Sequence, residues 1–289
     1  CVCDVIGSFK MPEYTISSEI YEEYSYLTKI PPTIEGNVVS EFPFFLPKRG
    51  KKKYDRDGDL DINKQKEAIR IEHRPKTRIA LVGLQVWRGA FLSGDLLITL
   101  GEAGKLKDKT VLELGAGTGL ASIVASMYAK KVVCTDLETG GILDLIKLNV
   151  KNNEKFVKSD FQVMALDFMD RNWNESLSNA IMETDIIIAA DVIYDDDVTE
   201  AFIYTIEKIL NSKPPKTLYI ILEKRYVFTL EHRDSVAPCY ETFISLLDKV
   251  KHSNWLVQQM SINFVKYFTY YRVEEFVIWK ISSPNKLPI

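Results

Sequence analysis

The ten residues "VLELGAGTGL" at positions 111–120 decide the fold prediction, because they join an apolar strand pattern to a glycine-rich turn. Gly115, Gly117 and Gly119 alternate with small residues, and the acidic Glu113 lies inside the strand. Glycines at such a turn let the backbone approach a ligand closely. The stretch therefore predicts a strand, a tight turn and a helix with a ligand site at the turn.

The segments around this turn alternate between strand and helix patterns. Apolar runs without two-residue alternation are typical of a parallel sheet covered on both faces; they lie at residues 110–115, 131–136, 161–166, 184–194 and 217–224. Helical patterns separate these runs, and residues 261–281 alternate like an antiparallel pair at the sheet edge. We therefore predict an open, doubly wound α/β domain with its ligand at the carboxyl ends of the strands.

The region before this domain is organised differently. "EAIRIEH" (67–73) and "TRIALVG" (77–83) alternate like two strands of a hairpin that turns near Pro75, and residues 86–104 have helical spacing. We assign this lead-in, residues 68–104, to a domain that spans 66–289. Residues 1–65 form an N-terminal, β-rich extension with a basic loop, "KRGKKK" at 48–53. One hypothesis is that this extension covers the carboxyl ends of the strands, where the ligand is expected, and controls access of the substrate.

Composition excludes several classes of protein. The 289 residues are 46% hydrophobic, enough for a substantial core, and the net charge of −3 gives no overall attraction to nucleic acid or anionic membranes. No apolar run approaches the roughly 18–20 residues of a membrane span. The four cysteines and three histidines show no metal-ligand spacing. We expect no metal, no membrane, no direct nucleic-acid binding and a monomeric chain.

The glycine spacing and the acidic residues limit the ligand. A dinucleotide fingerprint needs its third glycine three residues after the second, whereas Gly119 follows Gly117 by two. No lysine follows as in a phosphate-binding loop. Asp136, Asp167 and Asp191 end or follow strands, and with Glu113 they would repel a pyrophosphate but suit a cation. S-adenosylmethionine is such a ligand, and Asp136 is placed to accept hydrogen bonds from its ribose hydroxyls.

The motifs resemble those of a known family over about residues 66–280. "ELGAGTG" (113–119), "CTD" (134–136), "ALDF" (165–168) and "ADVIY" (190–194) resemble the seven-strand, class I methyltransferases. The Asp191-x-x-Tyr194 pattern is similar to the signature of the family 16 protein-lysine methyltransferases. The resemblance implies a Rossmann-like, seven-stranded, mostly parallel sheet, and S-adenosylmethionine bound by Trp87, Glu113, Gly115, Gly117, Gly119, Asp136, Asp167, Phe168 and Ala190. Phe168 departs from the tryptophan that is commoner there.

The resemblance also implies a reaction, methyl transfer to the ε-amine of a lysine in a protein substrate. We expect Asp191 to receive the amine hydrogens and orient the amine, and Tyr194 to wall the channel as the second catalytic residue. Asp195, Asp196 and Asp197 precede a helix, where a cap and first-turn acids are favoured. A nuclear zinc-finger DNA/RNA-binding protein of the KIN type is the substrate that the resemblance suggests. We expect the chain in the nucleus, with the cytoplasm as an additional location.

Two other functions stay open at this point. Enzymes that methylate amino groups of nucleic acids carry Asp/Asn-Pro-Pro followed by an aromatic residue, whereas this chain has "DVIY" at 191–194. A catalytically silent, cofactor-binding interaction module would keep the same motifs. Two of these residues also have purely structural interpretations. Asp167 is typical of a helix cap, and Trp87 is typical of the apolar face of a helix.

Overall fold

The computed structural model describes residues 14–47, 65–229, 234–250 and 255–283. Its helices are α1 Ile20–Glu23, α2 Arg88–Glu102, α3 Leu120–Ala125, α4 Ile142–Asn152, α5 Glu175–Met182, α6 Asp196–Leu210 and α7 Pro238–Val250, with a 3-10 helix at Ile79–Leu84. Its strands are β1 Val38–Leu46, β2 Gln65–His73, β3 Thr110–Leu114, β4 Lys131–Asp136, β5 Asp160–Ala165, β6 Ile186–Ala190, β7 Thr217–Glu223, β8 Val227–Thr229, β9 Asp234–Val236, β10 Leu256–Met260 and β11 Phe276–Ser282. None of these helices is long and apolar enough to cross a membrane.

Seven strands form one sheet in the order β10-β11-β7-β6-β3-β4-β5. The neighbours from β7 to β5 are parallel, and β11 is antiparallel to both β7 and β10. This confirms the predicted Rossmann-like, seven-stranded, mostly parallel sheet. The chain leaves β3 toward β4 and β5, then returns to place β6 on the other side of β3. The direction of winding therefore reverses at β3, where such sheets bind ligands at their carboxyl ends.

Two apolar layers cover the sheet. On one face, α2 and α3 bury side chains such as Phe91, Leu97 and Ile123 in a core that also includes β1 and β2. On the other face, α5, α6 and α7 bury Leu177, Phe202 and others. The central strands are buried on both faces, which explains why their sequences are continuous apolar runs rather than alternating ones.

The predicted lead-in hairpin within residues 68–104 is wrong. β2 is a strand, but its partner is the upstream β1, antiparallel from Val38–His73 to Leu46–Gln65. Most of residues 77–83 instead belongs to the 3-10 helix, while α2 confirms the predicted helix. An alternating pattern identifies a strand but not its partner. Because β1 and β2 are far apart in the sequence, nothing in the local pattern indicates that they pair. The boundary at residue 65 stays a prediction, and residues 48–53 lie outside the described residues.

Other parts of the chain bond to the outer edge of β1 and to part of the outer edge of β2. Two asparagine side chains, Asn149 in α4 and Asn153 directly after it, bond to the β2 backbone. Asn149 accepts from the Glu72 amide at 2.8 Å and donates to its carbonyl at 3.0 Å. Asn153 makes the equivalent pair with Arg70. Backbone bonds from residues 26–28 and 267–269 cover the outer edge of β1.

The structure has an antiparallel pair, β10 and β11, at one edge of the sheet, but only β11 overlaps the predicted residues 261–281. β10 begins at Leu256, before the alternating stretch, and residues 261–275 connect it to β11 without forming a named strand. That connection is fixed to α2 by Asp95, a fully buried carboxylate that accepts from the Tyr267 and Phe268 amides at 2.7 and 2.9 Å. Asp95 also accepts from the Tyr270 hydroxyl and pairs with Arg272. Its contacts hold the connection beside the core rather than in a strand.

Candidate active site

A cavity lies at the carboxyl ends of β3, β4 and β6, where the sheet topology predicts a ligand. It brings together almost all of the residues predicted from the sequence, namely Trp87, Glu113, Gly115, Gly117, Asp136, Asp167, Phe168, Ala190, Asp191 and Tyr194. Gly119 is the exception. It does not line the cavity but stands behind the turn, at the residue before α3, with a φ of +82°.

The glycine turn adopts backbone angles that exclude ordinary side chains. Gly115 and Gly117 have φ values of +65° and +57°, in the left-handed region that favours glycine. A Cβ atom on Gly117 would lie only 3.0 Å from the Gly83 carbonyl oxygen. The turn is therefore pressed against the segment that forms the opposite wall of the cavity, and it presents backbone rather than side chains to a ligand.

Asp136 ends β4 and is fixed by two backbone amides. Its Oδ2 accepts from the Gly117 amide and its Oδ1 from the Leu137 amide, both at 2.7 Å. Burial raises the pKa of Asp136, while these two bonds act in the opposite direction. A carboxylate offers about four acceptor positions, so capacity remains for a ligand diol. The carboxylate thus has the fixed orientation that recognition of two hydroxyls requires.

Glu113 lies beneath the turn and is almost fully buried. Burial raises its pKa from 4.5 to about 7, although the Ser122 hydroxyl donates a hydrogen bond to its carboxylate. A carboxyl group with this pKa is partly protonated near neutral pH. A cation in the cavity would favour its ionised form, so this residue can respond to the charge of a ligand.

Asp167 and Phe168 form the part of the cavity beyond β5. The Asp167 carboxylate is exposed and accepts from the Met169 amide at 2.8 Å, which makes a local turn and not a helix cap. Phe168 is half-buried and packs edge-on against Phe202 with ring centroids 5.3 Å apart. The aromatic ring and the neighbouring carboxylate therefore stand together at one end of the cavity.

The opposite wall is the segment before α2, which sequence reasoning missed. Val82, Gly83 and Gln85 line the cavity there, although the sequence pattern predicts a strand at residues 77–83. Trp87 stands at the residue before α2, not on its apolar face, and its Nε1 donates to the Val82 carbonyl at 2.9 Å. A glycine within an alternating pattern suggests that another part of the backbone approaches closely. Gly83 is therefore the one residue in this segment whose type could have indicated that it forms a wall of the cavity.

Asp191 follows β6 and occupies the left-handed region with a φ of +52°. Its Oδ2 accepts from the Gly89 amide at 2.7 Å, in the first turn of α2, and its Oδ1 accepts from the Glu223 amide at 3.3 Å. Burial raises the pKa of Asp191, and Arg225 lowers it. An anion at a helix amino terminus is favourable, and backbone amides hold both oxygens of this carboxylate in place.

Tyr194 and the acids after it follow Asp191 along the rim. Tyr194 lines the cavity, and burial raises the pKa of its hydroxyl. Asp195 caps α6 by accepting from the Val198 amide at 3.0 Å, and Asp196 and Asp197 lie in the first turn of that helix. The expected cap and first-turn acids are confirmed.

The cavity is acidic. Among the described residues that line it are four carboxylates, Glu113, Asp136, Asp167 and Asp191, and no lysine, arginine or histidine. Such a lining disfavours a pyrophosphate and favours a ligand that carries positive charge. S-adenosylmethionine fits these groups, since it has a sulfonium, an ammonium and a ribose diol and no phosphate.

The sheet order and this cavity define a class I methyltransferase fold. The sequence profile described as "Lysine methyltransferase" matches residues 63–247, and the chain belongs to that family. S-adenosylmethionine is the methyl donor that membership implies, in agreement with the acidic lining.

The chain is similar to several curated proteins. It is 34% identical to methyltransferase-like protein 22 of Mus musculus over 233 residues, covering 74% of this chain and 58% of that protein. The Homo sapiens protein of the same name is 33% identical over 237 residues, with coverage of 75% and 58%. Protein-lysine methyltransferase METTL21E of Mus musculus is 36% identical over 131 residues, with coverage of 44% and 51%. The chain thus spans 58% of the length of the first two relatives.

Proposed function

We propose that this protein is an S-adenosylmethionine-dependent protein-lysine N-methyltransferase. The observation that carries the proposal is that Asp191 lines an acidic cavity in a chain of the lysine methyltransferase family. The one relative named above as a protein-lysine methyltransferase, METTL21E, and the family description support the choice of lysine as the acceptor. The donor supplies an electrophilic methyl group, and the chain's own residues must bind the donor and orient the amine.

Binding of the donor is assigned to the predicted residues. Gly115 and Gly117 would present backbone to the methionine part, and Asp136 would accept from the ribose hydroxyls. Phe168 and Asp167 would flank and hold the adenine, and Trp87 would close the opposite side. Glu113 and Ala190 line the same cavity, whereas Gly119 would contribute only by starting α3.

Orientation of the acceptor is assigned to Asp191. A lysine amine needs a free lone pair to attack, and its deprotonation costs about 4.6 kcal/mol at pH 7 with a reference pKa near 10.4. A partly desolvated entrance lowers that cost. The two backbone bonds to Asp191 leave acceptor positions for the hydrogens of the amine. Tyr194 would wall the approach, so positioning rather than acid–base chemistry provides most of the rate.

The finer assignments are part of the proposal. We propose that the substrate is a protein, with a nuclear KIN-type zinc-finger protein as the first candidate, and that the exposed Asp196 and Asp197 attract its basic segment. We also propose that the enzyme works as a monomer in the nucleus, with the cytoplasm as an additional location, and without direct contact to nucleic acid, since an acidic rim repels phosphates.

The test is transfer of labelled methyl from S-adenosylmethionine into a cell extract that is afterwards divided between protease and nuclease. We expect label that is lost with protease and that maps to lysine. Asp191→Asn should abolish it, whereas Asp144→Asn, the same chemical change at an exposed position on α4, should not. Label lost with nuclease would move the function to nucleic acid. Donor binding without label in any extract would favour a silent interaction module.

A further inference from the structure

A buried ion network lies directly beside the candidate site. Arg88, the first residue of α2, bonds through Nη1 to the Glu223 carboxylate at 2.6 Å and through Nε to the Glu23 carboxylate. The three side chains are 14%, 14% and 6% exposed, respectively. Glu23 belongs to α1 in the N-terminal segment, whereas Glu223 ends β7. One guanidinium therefore joins three distant parts of the chain.

Two of these parts hold Asp191. Arg88 immediately precedes Gly89, whose amide donates to Asp191 Oδ2, and the Glu223 amide donates to Asp191 Oδ1. Each carboxylate oxygen of Asp191 thus depends on a backbone amide in a segment fixed by the same guanidinium. Any shift between the start of α2 and the end of β7 would rotate or release the Asp191 carboxylate.

The third part is held along the cavity wall. The Ser18 amide donates to the Gln85 side chain at 2.9 Å, and the Val86 amide donates to the Tyr21 hydroxyl at 3.0 Å. Glu23 continues this line of contacts at Arg88 and also accepts from the Tyr271 amide at 3.0 Å. Residues 18–23 therefore run alongside residues 85–88 and contact them in the same order. Of these contacts, the one between Glu23 and Arg88 lies nearest to Gly89 and Asp191 along the chain.

The network is poorly suited to serve stability alone. Burying an ion pair costs desolvation that its Coulomb energy repays only partly, and apolar residues of similar size often stabilise as well or better. A two-pronged guanidinium, by contrast, fixes the geometry of both of its partners. Fixing the segments that hold Asp191 has a chemical consequence, because a displacement of a reacting group by about 1 Å can lower the rate about 100-fold.

We propose that Arg88 is a positioning residue for methyl transfer, which acts through the Gly89 and Glu223 amides on Asp191, and that Glu23 of the N-terminal segment completes the arrangement. The inference rests on the proposed function, since Asp191 matters here as the group that orients the acceptor amine. It makes part of the N-terminal segment a fixed component of the active site.

The test compares Glu23→Gln with Glu22→Gln, a matched change at the adjacent exposed residue. Arg88→Lys is the second variant, because it keeps the positive charge but loses the two-pronged contact. For each full-length variant, the maximal rate of methyl transfer into protein of a cell extract and the KM for S-adenosylmethionine are measured. Hydrogen exchange of peptides that contain the Gly89 and Glu223 amides is measured in parallel.

We expect Glu23→Gln and Arg88→Lys to lower the maximal rate at least tenfold with little change in the KM for S-adenosylmethionine, and to speed exchange at those two amides. Glu22→Gln should match the wild type in both measurements. Equal rates for Glu23→Gln and Glu22→Gln, or unchanged exchange at both amides, would overturn the inference. If the wild type labels no lysine while the exchange difference is present, the proposed function fails and the coupling to Asp191 stands.

Discussion

Gly89→Ala is expected to have a small effect on the free energy of unfolding and a large effect on the rate of methyl transfer. A Cβ atom there would lie 2.5 to 2.9 Å from the three carboxylate atoms of Asp191. Such contacts are too short to persist, and the nearest group is the carboxylate rather than a flexible chain end. Gly89→Ala must therefore displace Asp191 from the amide that now holds it.

The effect on stability is the balance of two opposed changes. Replacing glycine by alanine in a helix favours folding by about 1 kcal/mol. Loss of a hydrogen bond to a charged acceptor costs about 1.5–3 kcal/mol. The free energy of unfolding should therefore fall by about 0.5–2 kcal/mol, which leaves the protein folded. The rate of methyl transfer should fall about 100-fold or more, because the group that orients the amine has moved.

The assay combines urea unfolding with labelled methyl transfer into protein of a cell extract, with the rate expressed per folded molecule. Gly94→Ala is the matched control, since its Cβ would clash with the Phe268 ring at 2.6 Å in the same helix. We expect that control to lose stability but to keep its rate. A Gly89→Ala protein with the wild-type rate would refute the view that the position of Asp191 limits turnover.

Three further predictions concern buried carboxylates. Asp95→Asn leaves Arg272 without its buried counter-ion, so urea unfolding should show a loss of about 3–5 kcal/mol. Because burial raises the pKa of Glu113 to about 7, the folded protein binds a proton there more tightly than the unfolded chain. The free energy of unfolding should therefore fall by up to about 3 kcal/mol as pH rises from about 4.5 through 7, and Glu113→Gln should remove that fall; an equal fall in the variant would contradict it. Asp136→Asn places an amide against two backbone donors, so calorimetry should show S-adenosylmethionine binding weakened about 10- to 100-fold with binding to Asp144→Asn unchanged.

The central sheet and the acidic cavity could be predicted because their signals are local. Apolar runs mark β3, β4, β6 and β7 wherever those strands are paired, and the glycines at 115 and 117 are required by backbone angles that the turn itself imposes. Acids that follow parallel strands converge at one edge whatever connects them. Their positions after strands therefore suffice to predict that Asp136 and Asp191 line the same cavity, whereas their roles stay predictions.

The rest of the site depends on long-range contacts that leave no local signal. Residues 77–83 alternate like a strand, yet their surroundings are the glycine turn and the N-terminal segment, which bonds through Ile16 to Thr77. The sequence shows Arg88, Glu23 and Glu223 only as separate charges, since nothing in their neighbours along the chain indicates that Arg88 bonds to both glutamates. Gly119 shows that a local motif also has limits, because its spacing does not reveal which glycine lines the cavity and which one precedes a helix.

The covered edges of the β1–β2 sheet restrict how a polypeptide can be recognised. Many proteins capture an extended peptide by letting it add a strand to an open edge, where main-chain bonds provide the affinity. Here Asn149 and Asn153 occupy the β2 edge at Glu72 and Arg70, and residues 26–28 and 267–269 occupy the β1 edge. A substrate strand therefore cannot pair by β-augmentation along β1 or with the Arg70–Glu72 part of β2, because those backbone groups are already bonded. The Asn149 and Asn153 amides thus also protect the part of the β2 edge that they occupy from edge-to-edge pairing.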